Sequence, residues 1–194
     1  MGGELFIGVI MNVQNVINTA LLMLNETELY NYINGNEESQ ERYVQDKELL
    51  IKSLNEALYS ISEYYPLQET QTLVPVNGKI TYKSFSKSPY KIVSIEDENG
   101  YKVNAKINPV CIEVNKKVTV TYKYYPSAVS LTDILPYDNT PITENIIAFG
   151  LISEFLVYRG RYNEALAYSD KFINGLIKAK GIFKKKKLKA REWF

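Results

Sequence analysis

The stretch 118–180 changes its hydrophobic period without a break, and this limits the folds open to the chain. Residues 117–125 alternate apolar and polar, the pattern of a strand with one buried face. The alternation sets Val118, Val120 and Tyr122 on one side and Lys117, Thr119, Thr121 and Lys123 on the other. Tyr125-Pro126 ends the strand, and a polar return through Leu135-Pro136 follows. From Thr143 the period is helical. The helix expected over 142–158 is apolar nearly all round, so it needs cover on most sides. Beyond the turn Arg159-Gly160-Arg161, a helix over 162–180 aligns Ala165, Leu166, Ser169, Phe172, Ile173, Leu176 and Ile177 on one face. The short turn makes the two helices an antiparallel hairpin.

The rest of the chain has the same two textures. Residues 5–11 read as a short strand or docking arm. Apolar positions 13, 16, 17, 20, 21 and 24 form a helix stripe, which Asn25 stops. A short helix over 26–33, the turn Asn34-Gly35-Asn36 and a long helix over 37–64 follow, with Pro66 as the terminator. Six strands are then expected, at 70–76, 79–85, 90–96, 101–107, 110–114 and 117–125. Asn77-Gly78 joins the first two as a hairpin, and Asp97 to Gly100 turns the third into the fourth. Turns at this spacing suit a small antiparallel sandwich or barrel-like insert. The fold class is therefore α+β: N- and C-terminal helices form a bundle, and a small antiparallel β domain is inserted between them. The expected divisions are 1–66, helical; 67–126, the β insert; 127–181, the linker and helical hairpin; and 182–194, a basic C-terminal arm.

Composition excludes many chemistries. The chain has no histidine, which rules out Ser-His-Asp and Cys-His catalysis, histidine-ligated zinc and histidine-based pH sensing. The single cysteine, Cys111, cannot close an internal disulfide and lies in an apolar run, as a buried inert thiol does. Phosphate-binding glycine loops and calcium loops of the Asp-x-Asp-x-Asp-Gly kind are absent from the sequence. No segment reaches the roughly 18 apolar residues of a membrane helix, so a soluble protein without membrane contact is expected. No catalytic residue, metal ligand or cofactor is assigned, and the chain is not expected to be an enzyme.

Charge is distributed unevenly. Acids outnumber bases heavily over 1–69, while the end of the chain is basic. This polarity suits head-to-tail contacts between copies. The candidate partner-binding residues are Phe183, Lys184, Lys185, Lys186, Lys187, Leu188, Lys189, Arg191, Trp193 and Phe194. Lysines flanking terminal aromatics fit an arm that inserts into pockets of another protein. They also fit non-specific attraction to phosphate, or a solvated end. Tyr64, Tyr65, Tyr122, Tyr124, Tyr125 and Tyr137 gather where the β insert meets the helices and read mainly as packing residues. The acid groups Glu26/Glu28, Glu37/Glu38 and Glu96/Asp97/Glu98 lie at helix starts or in a turn, where carboxylates are ordinary. The turn 158–166 has the look of one tetratricopeptide unit, but it occurs once and so predicts a single hairpin.

The order of parts over about 11–183 resembles the head–tail adaptor (connector) proteins of tailed bacteriophages, in which a helical bundle carries a β insert. The phrases that carry the likeness are Asn77-Gly78-Lys79-Ile80, Pro89-Tyr90-Lys91-Ile92-Val93, Asp97-Glu98-Asn99-Gly100, Tyr124-Tyr125-Pro126 and Gly160-Arg161-Tyr162-Asn163-Glu164-Ala165. The resemblance implies a structural subunit of a homo-oligomeric ring, a dodecamer in the expected case. Such a ring sits in the virion neck, docked on the portal and meeting a further neck or tail protein, after assembly in the host cytoplasm. It implies that 183–194 reaches into the portal and that DNA passes nearby without sequence-specific binding. The long N-terminal part and the lysine run depart from the family pattern and leave the arm assignment open. Two other readings stand beside it: a ligand- or carbohydrate-binding β module of a tail or baseplate protein, and a nucleic-acid-associated protein using its lysine-rich tail.

Overall fold

A computed structural model describes residues 11–36, 38, 40–138 and 140–182. The chain is an α+β protein that divides into two compact units, one formed by 65–127 and the other by the segments before and after it.

The helical unit contains α1 (Val13–Leu24), α2 (Thr27–Ile33), α3 (Glu41–Tyr64), α4 (Glu144–Tyr158) and α5 (Tyr162–Ile182). The side chain of Asn12 caps α1 by accepting from the N–H of Asn15 at 2.7 Å, and Asn25 closes it in the left-handed region at φ 57°. Thr143 caps α4 in the same way, through the N–H of Ile146. α4 packs against α1, α3 and α5, and its Ile147, Leu151, Ile152, Phe155 and Leu156 have no exposed surface. A helix apolar on all sides thus becomes the centre of the unit. Gly150 permits the close approach, since a Cβ there would stand 2.8 Å from the Phe172 ring and 3.0 Å from the Cβ of Ala57.

Three helical expectations need correction. The long helix begins at Glu41, not at 37, because Tyr43 is the first residue of the segment with a buried surface to contribute; Glu37 and Ser39 lie outside the described residues. The apolar stripe of α5 is wider than its contact. Ala165, Phe172 and Leu176 are buried, while Leu166 and Ile177 remain 64% and 57% exposed. The return over 128–143 is more than a polar linker. Leu135, Tyr137 and Ile142 are buried, and the Tyr137 hydroxyl donates to the carbonyl of Leu58 at 3.3 Å. Asn55 grips the same segment, accepting from the N–H of Val129 at 2.7 Å and donating to its carbonyl at 3.1 Å. Residue 12 bridges to Ile134, and the N–H of Leu135 donates to the carbonyl of Met11 at 2.9 Å. The expected arm 5–11 otherwise lies outside the described residues. Among the described residues no helix is long and apolar enough to cross a membrane.

The second unit holds β1 (Leu67–Leu73), β2 (Lys79–Thr81), β3 (Pro89–Glu96), β4 (Lys106–Ile107), β5 (Cys111–Glu113) and β6 (Val118–Tyr124). They form two antiparallel three-stranded sheets, ordered β1-β6-β3 and β2-β5-β4. The first and last strands pair, so Leu67 stands opposite Tyr124 and Leu73 opposite Val118. Ile80, Phe85, Ile95, Ile112, Val118, Val120 and Tyr122 belong to a core of this unit's own. Phe85 meets Tyr122 edge-on, with ring centroids 4.8 Å apart.

Several strand limits differ from the sequence reading. The first strand runs three residues earlier and stops before Pro75, which has no N–H to place in a ladder. Asn77 and Gly78 form a tight turn at φ 52° and 72°, closed by the Val76–Lys79 bridge, but this turn does not pair the first two strands. β1 takes β6 as partner and β2 takes β5. After Thr81 the chain coils into a 3₁₀ turn, Tyr82–Ser84, which brings the Tyr82 hydroxyl to the carbonyl of Asn108 at 2.8 Å. Of the strand expected over 101–107 only Lys106–Ile107 is laddered, with Lys102 bridging to Glu96.

Gly150→Val should destabilise the helical unit by about 1–3 kcal/mol, because the added methyls meet Ala57 and Phe172. Denaturant unfolding monitored by far-UV circular dichroism measures this; an unchanged midpoint would mean that the α4 contact gives way without strain.

Candidate interaction surface

The proposed arm residues, Phe183 to Leu188 with Lys189, Arg191, Trp193 and Phe194, lie outside the described residues. Within them, four of the acids noted in the sequence, Glu26, Glu28, Asp97 and Glu98, have side-chain partners. Glu28 accepts from the Tyr43 hydroxyl at 3.0 Å, and Glu26 faces Arg161 at 3.7 Å. Asp97 closes its own turn by accepting from the N–H groups of Asn99 and Tyr101 at 3.0 and 3.1 Å, and from Lys116 at 2.8 Å. The Lys116 hydrogen bond, followed by the backbone donors, holds its carboxyl below the usual range. Glu98 faces Lys117 at 3.3 Å. Among the described residues no group of three acid or cysteine side chains is placed to hold a metal ion. Cys111 is buried.

The tyrosines named from the sequence have separate roles. Tyr122 is fully buried in the β unit, its hydroxyl 3.0 Å from Ser86 Oγ, whereas Tyr137 is fully buried in the helical unit. Tyr90 and Tyr125 stack with centroids 4.3 Å apart, both partly exposed.

Two surfaces have unusual chemistry. The first is an open groove of about 680 Å³ in the β unit, lined by Asn77, Lys79, Asn104, Lys106, Asn115 and Lys116 among others. Its polar lining is mostly amide and ammonium groups, beside Val103 and Val114. Its lysines are partly neutralised, since Lys106 lies 3.9 Å from Glu113 and Lys116 is held by Asp97.

The second is the outer face of the β1-β6-β3 sheet. The ladder register sets its side chains in rows, because residues directly opposite share a face. Gln68, Lys123 and Lys91 form one row, Thr70, Thr121 and Ser94 the next, and Thr72, Thr119 and Glu96 the third. Threonine hydroxyls pair across the strands at 3.0 and 3.2 Å. Lys91 and Lys123 stand directly opposite one another, and neither forms an ion pair among the described residues. Like charges so placed are destabilising. Each lysine was visible in the sequence, but their pairing depends on two irregularities in β3, at Tyr90 and Val93.

The helical unit has the opposite sign. Residues 11–64 and 128–182 carry 15 acidic and 8 basic side chains, whereas 65–127 carries 5 acidic and 9 basic. Glu41, Glu48, Glu56 and Glu63 recur along the outward side of α3, with Lys52 and Tyr59 between them. Glu41, Glu48 and Glu63 are exposed and form no ion pair among the described residues. Glu56 accepts from the Tyr158 hydroxyl at 2.6 Å. Burial, reinforced by the nearby charge of Glu56, pushes the Glu154 carboxyl above its ordinary range.

No protein-family model matches the sequence, and a comparison with curated proteins finds no match either.

Lys91→Glu converts the opposed lysines into an opposite-charge pair with Lys123 and should stabilise the isolated chain by about 0.2–1 kcal/mol. Chemical denaturation at low salt measures the gain, which should shrink at high salt as the pair is screened.

Proposed function

We infer that the chain is a ring-forming structural subunit of a phage neck, a head–tail adaptor that docks on the portal and joins it to the tail. The observation that carries this reading is a β unit inserted into a helical one, together with the opposite charge balances of the two. A ring needs two different, complementary surfaces on each subunit, and a chain polarised in charge supplies them. Residues Phe183 to Phe194 serve as the portal-docking arm, with Trp193 and Phe194 as apolar anchors and the lysines setting orientation. DNA passes through the ring without being read. The subunit binds no cofactor and catalyses nothing; its work is positioning.

The polar groove beside Asn77, Asn104 and Asn115 favours one other reading, a β module that captures a carbohydrate or other hydroxylated ligand through its amides.

Native mass spectrometry of the full chain, alone and with a candidate portal protein, tests the adaptor reading. A closed ring that co-assembles with the portal is expected. Removing 182–194 should leave the melting temperature nearly unchanged and abolish portal docking. A chain that remains monomeric and binds DNA in a salt-sensitive way contradicts the reading.

A further inference from the structure

We propose that the Lys91–Lys123 row on the outer face of the β1-β6-β3 sheet docks on the carboxylate stripe of α3 in a second copy of the chain, forming the contact between neighbouring subunits. The proposal rests on the ring reading and adds to it the surfaces that meet.

Three observations carry it. The two lysines are opposed across one ladder position with no carboxylate partner among the described residues, so the β unit alone leaves their repulsion uncompensated. An incoming carboxylate relieves it. The rest of the face is polar and hydrogen-bonding, with the Thr70–Thr121 and Thr72–Thr119 hydroxyl pairs beside the lysines and Glu96 two rows away. A second copy supplies the complementary surface. α3 is 24 residues, roughly 36 Å, and its outward side carries Glu41, Glu48, Glu56 and Glu63 against Lys52 alone.

The donor and acceptor surfaces lie in different units and are chemically unlike, so the contact is heterologous. A heterologous contact closes into a ring when its rotation closes, which is the arrangement the ring reading requires. Because Lys91, Glu41, Glu48 and Glu63 are exposed and Lys123 and Glu56 half-buried, the contact forms quickly and weakens as salt screens it.

The test uses the full chain and two charge-reversed forms, K91E/K123E and E48K/E63K. Sedimentation velocity follows assembly from about 0.1 M to about 1 M salt, over which the screening length falls from roughly 10 Å to 3 Å. Wild type should assemble at low salt and dissociate at high salt. Each double variant should assemble roughly tenfold or more weakly, and an equimolar mixture of the two should recover assembly. Circular dichroism spectra and melting curves like those of wild type show that both variants fold. The single variant K91E separates contact from fold, since it should be at least as stable as wild type while assembling less well. Undiminished assembly of K91E/K123E overturns the contact and leaves the ring reading intact. The contact is also overturned if that variant assembles normally but loses salt-sensitive binding to duplex DNA, because the face then belongs to phosphate. A wild-type chain that stays monomeric at low salt overturns the ring reading, and this contact with it.

Discussion

The ladder between β1 and β6 is the constraint on which the chain's organisation depends. It pairs seven successive positions, from Leu67 opposite Tyr124 to Leu73 opposite Val118. The two ends of the inserted segment are thereby held side by side, and the chain leaves α3 and returns toward α4 from neighbouring strands. α3 and α4 pack closely although about eighty residues separate them. Closing a loop of that length costs entropy that grows only slowly with size, about 0.6 kcal/mol per doubling. The ladder within the insert shortens the effective loop that packing α3 on α4 has to close.

Packing in the helical unit follows from α4. A segment with no polar side has to be enclosed, and α1, α3 and α5 supply the enclosure. Gly150 and Gly175 remove the side-chain volume that would otherwise keep the helices apart, since added Cβ atoms would meet Phe172 and Ile146 at 2.8 and 2.9 Å. Polar locks then fix the segments that have no period of their own. The two-way grip of Asn55 on Val129 and the buried Tyr137 hydroxyl satisfy backbone groups that a loose return would leave to water. Surface charge does a different job: it adds little to the stability of either unit and determines what each can meet.

The helices were legible in the sequence because their apolar spacing is a local property. α1, α4 and the body of α3 appear where the period puts them. The width of an apolar stripe, however, does not reveal how much of it finds a partner, and α5 leaves Leu166 and Ile177 outside. Strand pairing was less legible for a similar reason. Alternation assigns faces but names no neighbour, so Asn77-Gly78 was correctly a turn and wrongly the joint of two paired strands. β1 was hidden at its start because its inward positions include Glu69 and Gln71, which are matched by Ser86 rather than by apolar contact. The lysine row on the outer face needed the register of three strands, including the irregularities of β3, before Lys91 and Lys123 could be placed together.

The chain's organisation turns on the β unit being self-contained, with its own core and a stem closed by β1 and β6. The direct measurement is the folding of residues 65–127 as an isolated fragment. Cooperative urea unfolding, together with amide protection along β6 and proton–proton contacts between Lys123 and both Gln68 and Lys91, is the predicted result. A fragment without protected amides or a cooperative transition would contradict it, and would mean that the helical unit holds the sheets together.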